Sequence, residues 1–380
     1  MSNLFVTLFL LALLNLPAIS FAQQAEKEPQ AASIVDAEVK DLHPDDAIHF
    51  STPAPVSVAS KIRCGPSGDI YVVYSNNSYV ELWGSPIRRI SLSSHSVTEF
   101  PIPSISGYEN LSRSSFDVDA NGTLYVLYQA HSKKAGESNA HFVYLIVKYK
   151  DDGSVDSHFT LSQPPDKVVQ PTSLTMFADG NFLMSGSFRA NDSPASKVGV
   201  FSAIFDQTGA LRAPVTMVKS AGSESNASLK SSGGNAPKDE SPTPAILSSS
   251  FLTFGAPNGK AYVLLENQLD VVSHDGSVEN VADLEPPGKD LSPIQMAGAG
   301  VGYIFAFYDH ISTGAPGEKA ERRSMIKVAN LQTGGTVATY RLAQDATDLT
   351  VAACAVSLND FVFLSSDQQN NLEVVHYRPK

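Results

Sequence analysis

Three residues in one short segment have the spacing of a metal site. Asp117, Asp119 and Asn121 occupy alternate positions and are followed by Gly122, as in the first half of a calcium-binding loop. Such a loop also needs a bidentate glutamate at its twelfth position, and that position is Tyr128. Aspartate and asparagine equally favour tight turns that hold no metal. We therefore predict a hairpin turn here and no metal site.

Other residue types that carry out catalysis are present without the required spacing. Glu266 and Asp309 lie near strand patterns, as Asp117 does, but these acids belong to no motif. The 9 histidines include no His-x-x-x-His pair, which zinc sites often use. No Gly-x-Ser-x-Gly nucleophile turn and no phosphate-binding Gly-Lys-Ser/Thr loop occurs. Ser185-Gly186-Ser187 lies inside a strand pattern, where glycine indicates close backbone packing. The sequence predicts no catalytic, cofactor-binding or metal-binding residues.

The strands that would hold the residues named above are predicted from a sequence pattern that occurs six times. Each copy has an apolar segment, a turn with glycine or asparagine, and a run of β-branched, aromatic and aliphatic residues. The copies are residues 62–74, 116–128, 174–188, 252–265, 296–308 and 353–364. A second polar turn and another short strand pattern follow each of the first five copies. Each unit thus predicts four antiparallel strands over roughly 40–50 residues, the size of one propeller blade.

The two ends of the chain complete the number of blades. The sixth unit stops after its third strand pattern, and residues 47–50 form an isolated strand pattern before the first unit. If that segment supplies the missing outer strand, the ring closes and leaves no exposed sheet edge. We predict an all-β, six-bladed β-propeller whose N-terminal strand closes the last blade. A double-sheet sandwich is the alternative, because many short strands fit it too.

The units resemble those of six-bladed propellers of the NHL-repeat, TolB-like and gluconolactonase-like group. The run Val118-Asp119-Ala120-Asn121-Gly122-Thr123-Leu124-Tyr125-Val126 carries this resemblance best, and the resemblance covers residues 46–380. It implies an architecture rather than one activity, because propellers host many functions. The gluconolactonase-type members imply calcium-dependent lactonase chemistry, but no residue here matches their metal-ligand motifs.

The N-terminus has the pattern of a secretory signal peptide. Residues 4–16 are nearly all apolar, Pro17 follows, and Ser20 and Ala22 place small residues where a signal peptidase cleaves. The apolar run is shorter than the roughly 18–20 residues that a membrane span needs. We assign residues 1–22 to a signal peptide, 23–45 to a flexible leader, and 46–380 to the propeller, with a disordered Ser/Gly/Pro-rich insertion at about 220–244. We expect a secreted or periplasmic protein.

The 2 cysteines, Cys64 and Cys354, lie almost at opposite ends of the mature chain. Each precedes its turn by four or five residues, so each belongs to the first strand of its unit. Closing the ring makes the first and sixth units neighbours, and an oxidising compartment permits a disulfide. That bond requires Cα atoms within roughly 7 Å. Two buried free thiols are the alternative, since cysteine packs as a small hydrophobic residue.

The charge of the chain excludes several classes of partner. With 27 Lys and Arg against 39 Asp and Glu, the net charge is -12, which disfavours nucleic acid and anionic membranes. No later segment could insert into a membrane once the signal is removed.

The sequence favours a cofactor-free binding or scaffold module, for an unknown protein or small-molecule ligand, over an enzyme. A metal-dependent hydrolase or lactonase of the gluconolactonase type is the alternative.

Overall fold

The computed structural model describes most of the chain after residue 37. The described residues are 38–53, 58–75, 84–132, 141–164, 167–190, 198–216, 252–255, 259–265, 267–288, 291–298, 302–312, 321–342 and 353–380. The predicted signal peptide at 1–22 and the predicted insertion at 220–244 lie outside them. The protein is all-β, and no helix in the described part of the chain is long and apolar enough to cross a membrane.

Strand β1 (Val39–Pro53) comes first, and four separate four-stranded antiparallel sheets follow it. Sheet 1 contains β2 (Val58–Cys64), β3 (Ile70–Ser75), β4 (Ile87–Ser91) and β5 (Ser96–Phe100). Sheet 2 contains β6 (Tyr108–Val118), β7 (Leu124–Ser132), β8 (His141–Tyr149) and β9 (Val155–Thr160). Sheet 3 contains β10 (Lys167–Met176), β11 (Phe182–Ala190), β12 (Val198–Phe205) and β13 (Leu211–Pro214). Sheet 4 contains β14 (Leu252–Gly255), β15 (Ala261–Leu265), β16 (Gln268–Val272) and β17 (Val278–Asp283).

The remaining strands form an eight-stranded sheet, sheet 5. They are β18 (Ser292–Gly298), β19 (Tyr303–Ser312), β20 (Glu321–Asn330), β21 (Thr336–Leu342), β22 (Ala353–Ser357), β23 (Asp360–Ser366) and β24 (Asn371–Pro379). With β1 their order is β18-β19-β20-β21-β1-β24-β23-β22. The small sheets have a propeller-like arrangement. The six separate sheets predicted from the sequence are therefore found as four separate sheets and one of double length.

Strand β1 lies between two partners in sheet 5. It pairs antiparallel with β24, where Ala47 faces Val375 and Ile48 faces Val374. Residues 47–50 thus take the outer place beside the last strand that the sequence predicted. Phe50, 3% exposed, packs among residues of β23 and β24. Strand β24 therefore has a hydrogen-bonded neighbour on each side, β1 and β23.

The strand also begins earlier than the sequence indicated. Residues 39–45 were assigned to the flexible leader, but β1 starts at Val39, and its first residues pair in parallel with β21, from Val39–Thr339 to Leu42–Leu342. Two interactions explain the difference: Leu42 is fully buried, and the Arg341 guanidinium donates hydrogen bonds of 2.8 and 3.1 Å to Asp41. This parallel pairing also joins the two halves of sheet 5.

Hydrophobic side chains fill the spaces between neighbouring groups of strands. In the described residues there are six such clusters, and full burial of each large apolar side chain contributes about 1.5–3 kcal/mol. Three of them join sheets 1 and 2 (Tyr71, Phe116), sheets 2 and 3 (Leu127, Phe182), and sheets 3 and 4 (Ile204, Val263). The fourth joins sheet 4 to β19 (Tyr262, Ile304), and the fifth joins β19 to β23 (Phe305, Phe361). The sixth joins β23 to sheet 1 (Val362, Ile62). The last cluster returns to the first sheet, so the packing is cyclic.

The first strands of the successive groups contact one another. These are β2, β6, β10, β14, β18 and β22, and we call them the inner strands. Each pairs with another strand on one side only. Their second edges therefore hold backbone N–H and C=O groups that need other partners.

Candidate functional site

One pocket lies where the inner strands end. It has a volume of about 200 Å³ and is lined by residues from all six inner strands, namely Cys64, Val118, Met176, Gly255, Gly298 and Ala355. The rest of its lining comes from the same strands and the turns after them: Gly65, Pro66, Gly68, Asp119, Ala120, Phe177, Ala178, Phe254, Cys354 and Val356. We call it the mouth pocket. Its lining is mainly apolar.

A buried ion pair lies one residue before the pocket on two of these strands. The Nε atom of Arg63, on β2, is 2.8 Å from Oδ1 of Asp117, on β6, and the two side chains are 11% and 7% exposed. The Nε–H group does not have hydrogen-bond geometry to any acceptor among the described residues, so the attraction is mainly between opposite charges. Removing one partner of such a pair leaves a buried charge uncompensated, which is costly.

The side chains of β6 also satisfy the free edge of β10. The backbone N–H of Met176 donates a 2.7 Å hydrogen bond to Oδ2 of Asp117, and the N–H of Leu174 donates one of 3.1 Å to Oγ of Ser115. A buried N–H without a partner costs about 1–3 kcal/mol. Asp117 therefore connects sheets 1, 2 and 3, and both of its oxygens are engaged.

Hydroxyl groups extend these polar contacts to sheet 4. Together with Arg63, Ser115 and Asp117, we call these hydroxyl-bearing residues the polar layer. Thr253, on β14, has its Oγ1 atom 2.5 Å from that of Thr175 and 2.9 Å from Oγ of Ser173. The Nη2 atom of Arg63 also donates to Thr253, at 3.4 Å. Thr175 and Thr253 are almost completely buried. The layer joins four sheets through side-chain hydrogen bonds and the Arg63–Asp117 ion pair.

Asp119, the half-motif acid that lines the pocket, shapes its turn. Its Oδ1 atom accepts hydrogen bonds of 2.9 Å from the N–H groups of Asn121 and Thr123. Gly122 has a φ of 84°, which glycine adopts without strain. These features define a three-residue hairpin turn with a bulge. The predicted hairpin turn is confirmed, and Asp117 directs its carboxylate to different partners.

Asp309, another acid considered from the sequence, is not among the described residues that line the pocket. Asp309 lies on β19, where it accepts a 2.9 Å hydrogen bond from Oγ of Ser324, and Glu266 lies outside the described residues. In the described part of the chain, no group of three or more His, Cys, Asp or Glu residues could hold a metal ion.

Two glycines are required by close packing. A Cβ atom on Gly298 would lie 2.1 Å from Cζ of Phe254, so only glycine leaves room for this ring in the pocket wall. A Cβ atom on Gly186 would lie 2.2 Å from the carbonyl oxygen of Gln170. Ser185 is buried and hydrogen-bonded to another serine. Residues 185–187 are thus the close-packed strand segment that the sequence predicted.

Cys64 and Cys354 form a disulfide bond in the pocket wall. Their sulfur atoms are 2.07 Å apart and their Cα atoms 5.7 Å apart. The bond links β2, in the first sheet, to β22, the last of the inner strands. It therefore joins the beginning and end of the propeller-like unit at the inner side, while β1 and β24 join them at the outer side.

Sequence reasoning did not single out Arg63 or Thr253. One signal could have found part of the layer, because Arg63, Asp117 and Thr175 each lie five residues before the turn glycine of their units: Gly68, Gly122 and Gly180. Equivalent positions in a ring of repeats face the same region. Which of them pair depends on the distances between sheets, which the sequence alone does not contain.

No family model matches the chain, and no curated protein matches it. A crystal structure of a protein of unknown function from Dyadobacter fermentans DSM 18053 is 12% identical, with a TM-score of 0.47, over 89% of this chain and 99% of that chain. A chain in the crystal structure of the mitotic checkpoint complex is 11% identical, with a TM-score of 0.41, over 93% of this chain and 96% of that chain. These likenesses carry no functional inference.

The role of Asp117 as a link between sheets predicts a large loss of stability on its removal. Asp117→Ala should lower the free energy of unfolding by about 3–5 kcal/mol, because Arg63 keeps a buried charge without a partner. Asp117→Asn retains an acceptor for Met176 and should lose less. Urea denaturation measures both values.

The matched control for this prediction is Asp151→Ala. Asp151 also pairs with an arginine, Arg89, at 3.4 Å, but its side chain is 92% exposed, and exposed pairs contribute about 0–1 kcal/mol. Equal losses in Asp117→Ala and Asp151→Ala would contradict the structural role of Asp117.

Proposed function

We propose that this chain is an exported six-bladed β-propeller that binds a ligand in the mouth pocket. The observation that carries the proposal is the convergence of all six inner strands on a mainly apolar pocket. Ligand sites are typically concave and mostly apolar, with few polar groups. The ligand is a small molecule or an exposed side chain of a partner protein.

Two observations support six blades. Sheet 5 consists of two runs of four strands, β18–β21 and β1 with β22–β24, and the strand pairing that connects them in the described residues is the parallel β1–β21 pairing. Each run then has four strands, as each of the four separate sheets does. The hydrophobic clusters also follow one another in a cycle of six, which is the number of interfaces that six blades in a closed ring would have.

The polar layer supports binding rather than catalysis. A general acid or base must reach the substrate with its own hydrogen-bonding atoms. The carboxylate of Asp117 instead uses one oxygen for Arg63 and the other for the N–H of Met176. The hydroxyls of Thr175 and Thr253 bond to each other. These groups are already engaged in holding the sheets together.

The lactonase alternative gains no specific support. It would require several oxygen ligands converging on the centre of the ring. In the described part of the pocket lining, Asp119 is the single carboxylate, and it caps its own turn.

Two features support export. The N-terminal residues have the signal-peptide pattern described above, and the chain places its 2 cysteines within bonding distance, an arrangement typical of oxidising compartments.

Expressed in a secreting host, the released protein should begin at Gln23 on N-terminal sequencing. Ala22→Arg should block this cleavage, because the peptidase requires a small residue there. Released protein that still begins at Met1 would contradict export with cleavage.

Blocking the mouth pocket should abolish binding without loss of stability. Val356 lines the pocket and is 47% exposed, so Val356→Trp can place an indole over the opening without disturbing the core. We expect 2-phenylethanol, used as a neutral probe, to bind weakly to the wild-type protein and not to Val356→Trp, as measured by saturation-transfer NMR.

The control is Val337→Trp. Val337 is equally exposed at 47% but lies on the outer strand β21, away from the inner strands. Binding retained in Val337→Trp and lost in Val356→Trp supports the site. Equal binding in both variants, or no binding to the wild-type protein, contradicts it.

A further inference from the structure

The size of the mouth pocket limits its ligand to a compact group. Its volume is about 200 Å³, and an engineered apolar protein cavity of about 150 Å³ accepts benzene. More of the lining surface is apolar than polar, and Val118, Met176 and Phe254 are among the residues that contribute to it. A single aromatic ring or a branched aliphatic chain therefore matches the pocket.

The pocket also carries one unbalanced negative charge. Asp119 is the ionisable side chain among the described lining residues, and no lysine, arginine or histidine accompanies it there. The hydrogen bonds described for its carboxylate, from Asn121 and Thr123, both go to Oδ1. The second oxygen, Oδ2, accepts no hydrogen bond from the described residues, and a ligand could donate one to it.

Neighbouring charges do not cancel that of Asp119. Below the pocket, Arg63 and Asp117 neutralise each other at 2.8 Å. On the neighbouring strand β8, Lys148 forms its ion pair with Asp156 at 3.2 Å. That hydrogen bond from Lys148 to Asp156 is the main reason why the pKa of Lys148 is raised, and Asp119 is a smaller contributor. A ligand cation would therefore find a carboxylate whose charge is not already matched.

We propose that the mouth pocket selects ligands that combine one benzene-sized apolar group with an ammonium group. The apolar group would occupy the mouth pocket, and the ammonium would donate to Asp119. This inference rests on the proposed function and specifies its ligand class. Two sources share this chemistry: a free aromatic or branched aliphatic amine, and the N-terminal residue of a peptide.

Three probes of similar shape and one small cation test the charge preference. Isothermal titration calorimetry would compare phenethylamine, 2-phenylethanol, phenylacetate and methylammonium at pH 7. Phenethylamine should bind about three- to fivefold more tightly than 2-phenylethanol, as a partly exposed ion pair allows. Phenylacetate should bind more weakly than the alcohol, and methylammonium, which lacks the apolar group, should not bind measurably.

Asp119→Asn removes the charge while keeping an oxygen that can accept the turn hydrogen bonds. In this variant the preference for phenethylamine over 2-phenylethanol should disappear. The control is Asp275→Asn, in a turn outside the pocket where Asp275 likewise accepts from the N–H of Ser277. This control should keep the preference for phenethylamine.

The outcomes separate this inference from the proposed function. If 2-phenylethanol binds but phenethylamine is no better, or phenylacetate is preferred, the ligand class is wrong and the pocket remains a binding site. If none of the probes binds, both are wrong. Comparing the tripeptide Phe-Gly-Gly with phenethylamine identifies the source: tighter binding of the peptide supports an N-terminal residue, and tighter binding of the amine supports a free amine.

Discussion

The structure depends on the closure of its strands into a cycle, which occurs at one strand pairing and one covalent bond. Strand β1 pairs with β24 at the outer side, and the disulfide between Cys64 and Cys354 joins β2 to β22 at the inner side. Without the first contact, β24 would expose a long edge of unpaired backbone groups, which invites association with other chains. Without closure, the inner strands would have no common centre to line.

The closed arrangement explains why polar side chains accumulate at the centre. Each inner strand has one edge without a strand partner, and its buried N–H groups need acceptors. Ser115 and Asp117 provide two of them for β10. The same carboxylate balances Arg63, which reaches Thr253 on sheet 4. The polar layer therefore serves the fold, and the mouth pocket begins at the next residue of strands β2 and β6.

The sequence predicted the features that depend on local pattern. Repeated turns and strand runs indicated the propeller-like arrangement, and the isolated pattern at residues 47–50 indicated the strand beside β24. The alternating acids around Asp119 were correctly interpreted as turn chemistry, because the interactions that shape the turn lie within four residues.

Two features that depend on distant segments were missed. The β1–β21 pairing brings Asp41 against Arg341, and nothing in the polar composition of residues 39–45 indicated that they would join an existing edge. The partners Arg63, Asp117 and Thr253 come from three different sheets. Residue type alone gives no distance between such positions, so the sequence could name Asp117 as an acid near a strand but not its partners.

The most direct test of closure is the effect of reduction on stability. The sequence separation of Cys64 and Cys354 is 290 residues, and a disulfide across such a long loop stabilises the folded state by about 5–6 kcal/mol in the chain-entropy model. Urea denaturation with and without reductant should show a loss of this size in the wild-type protein. The double variant Cys64→Ala and Cys354→Ala should show no response to reductant. An unchanged wild-type midpoint, or two free thiols in the denatured, unreduced protein, would contradict the account.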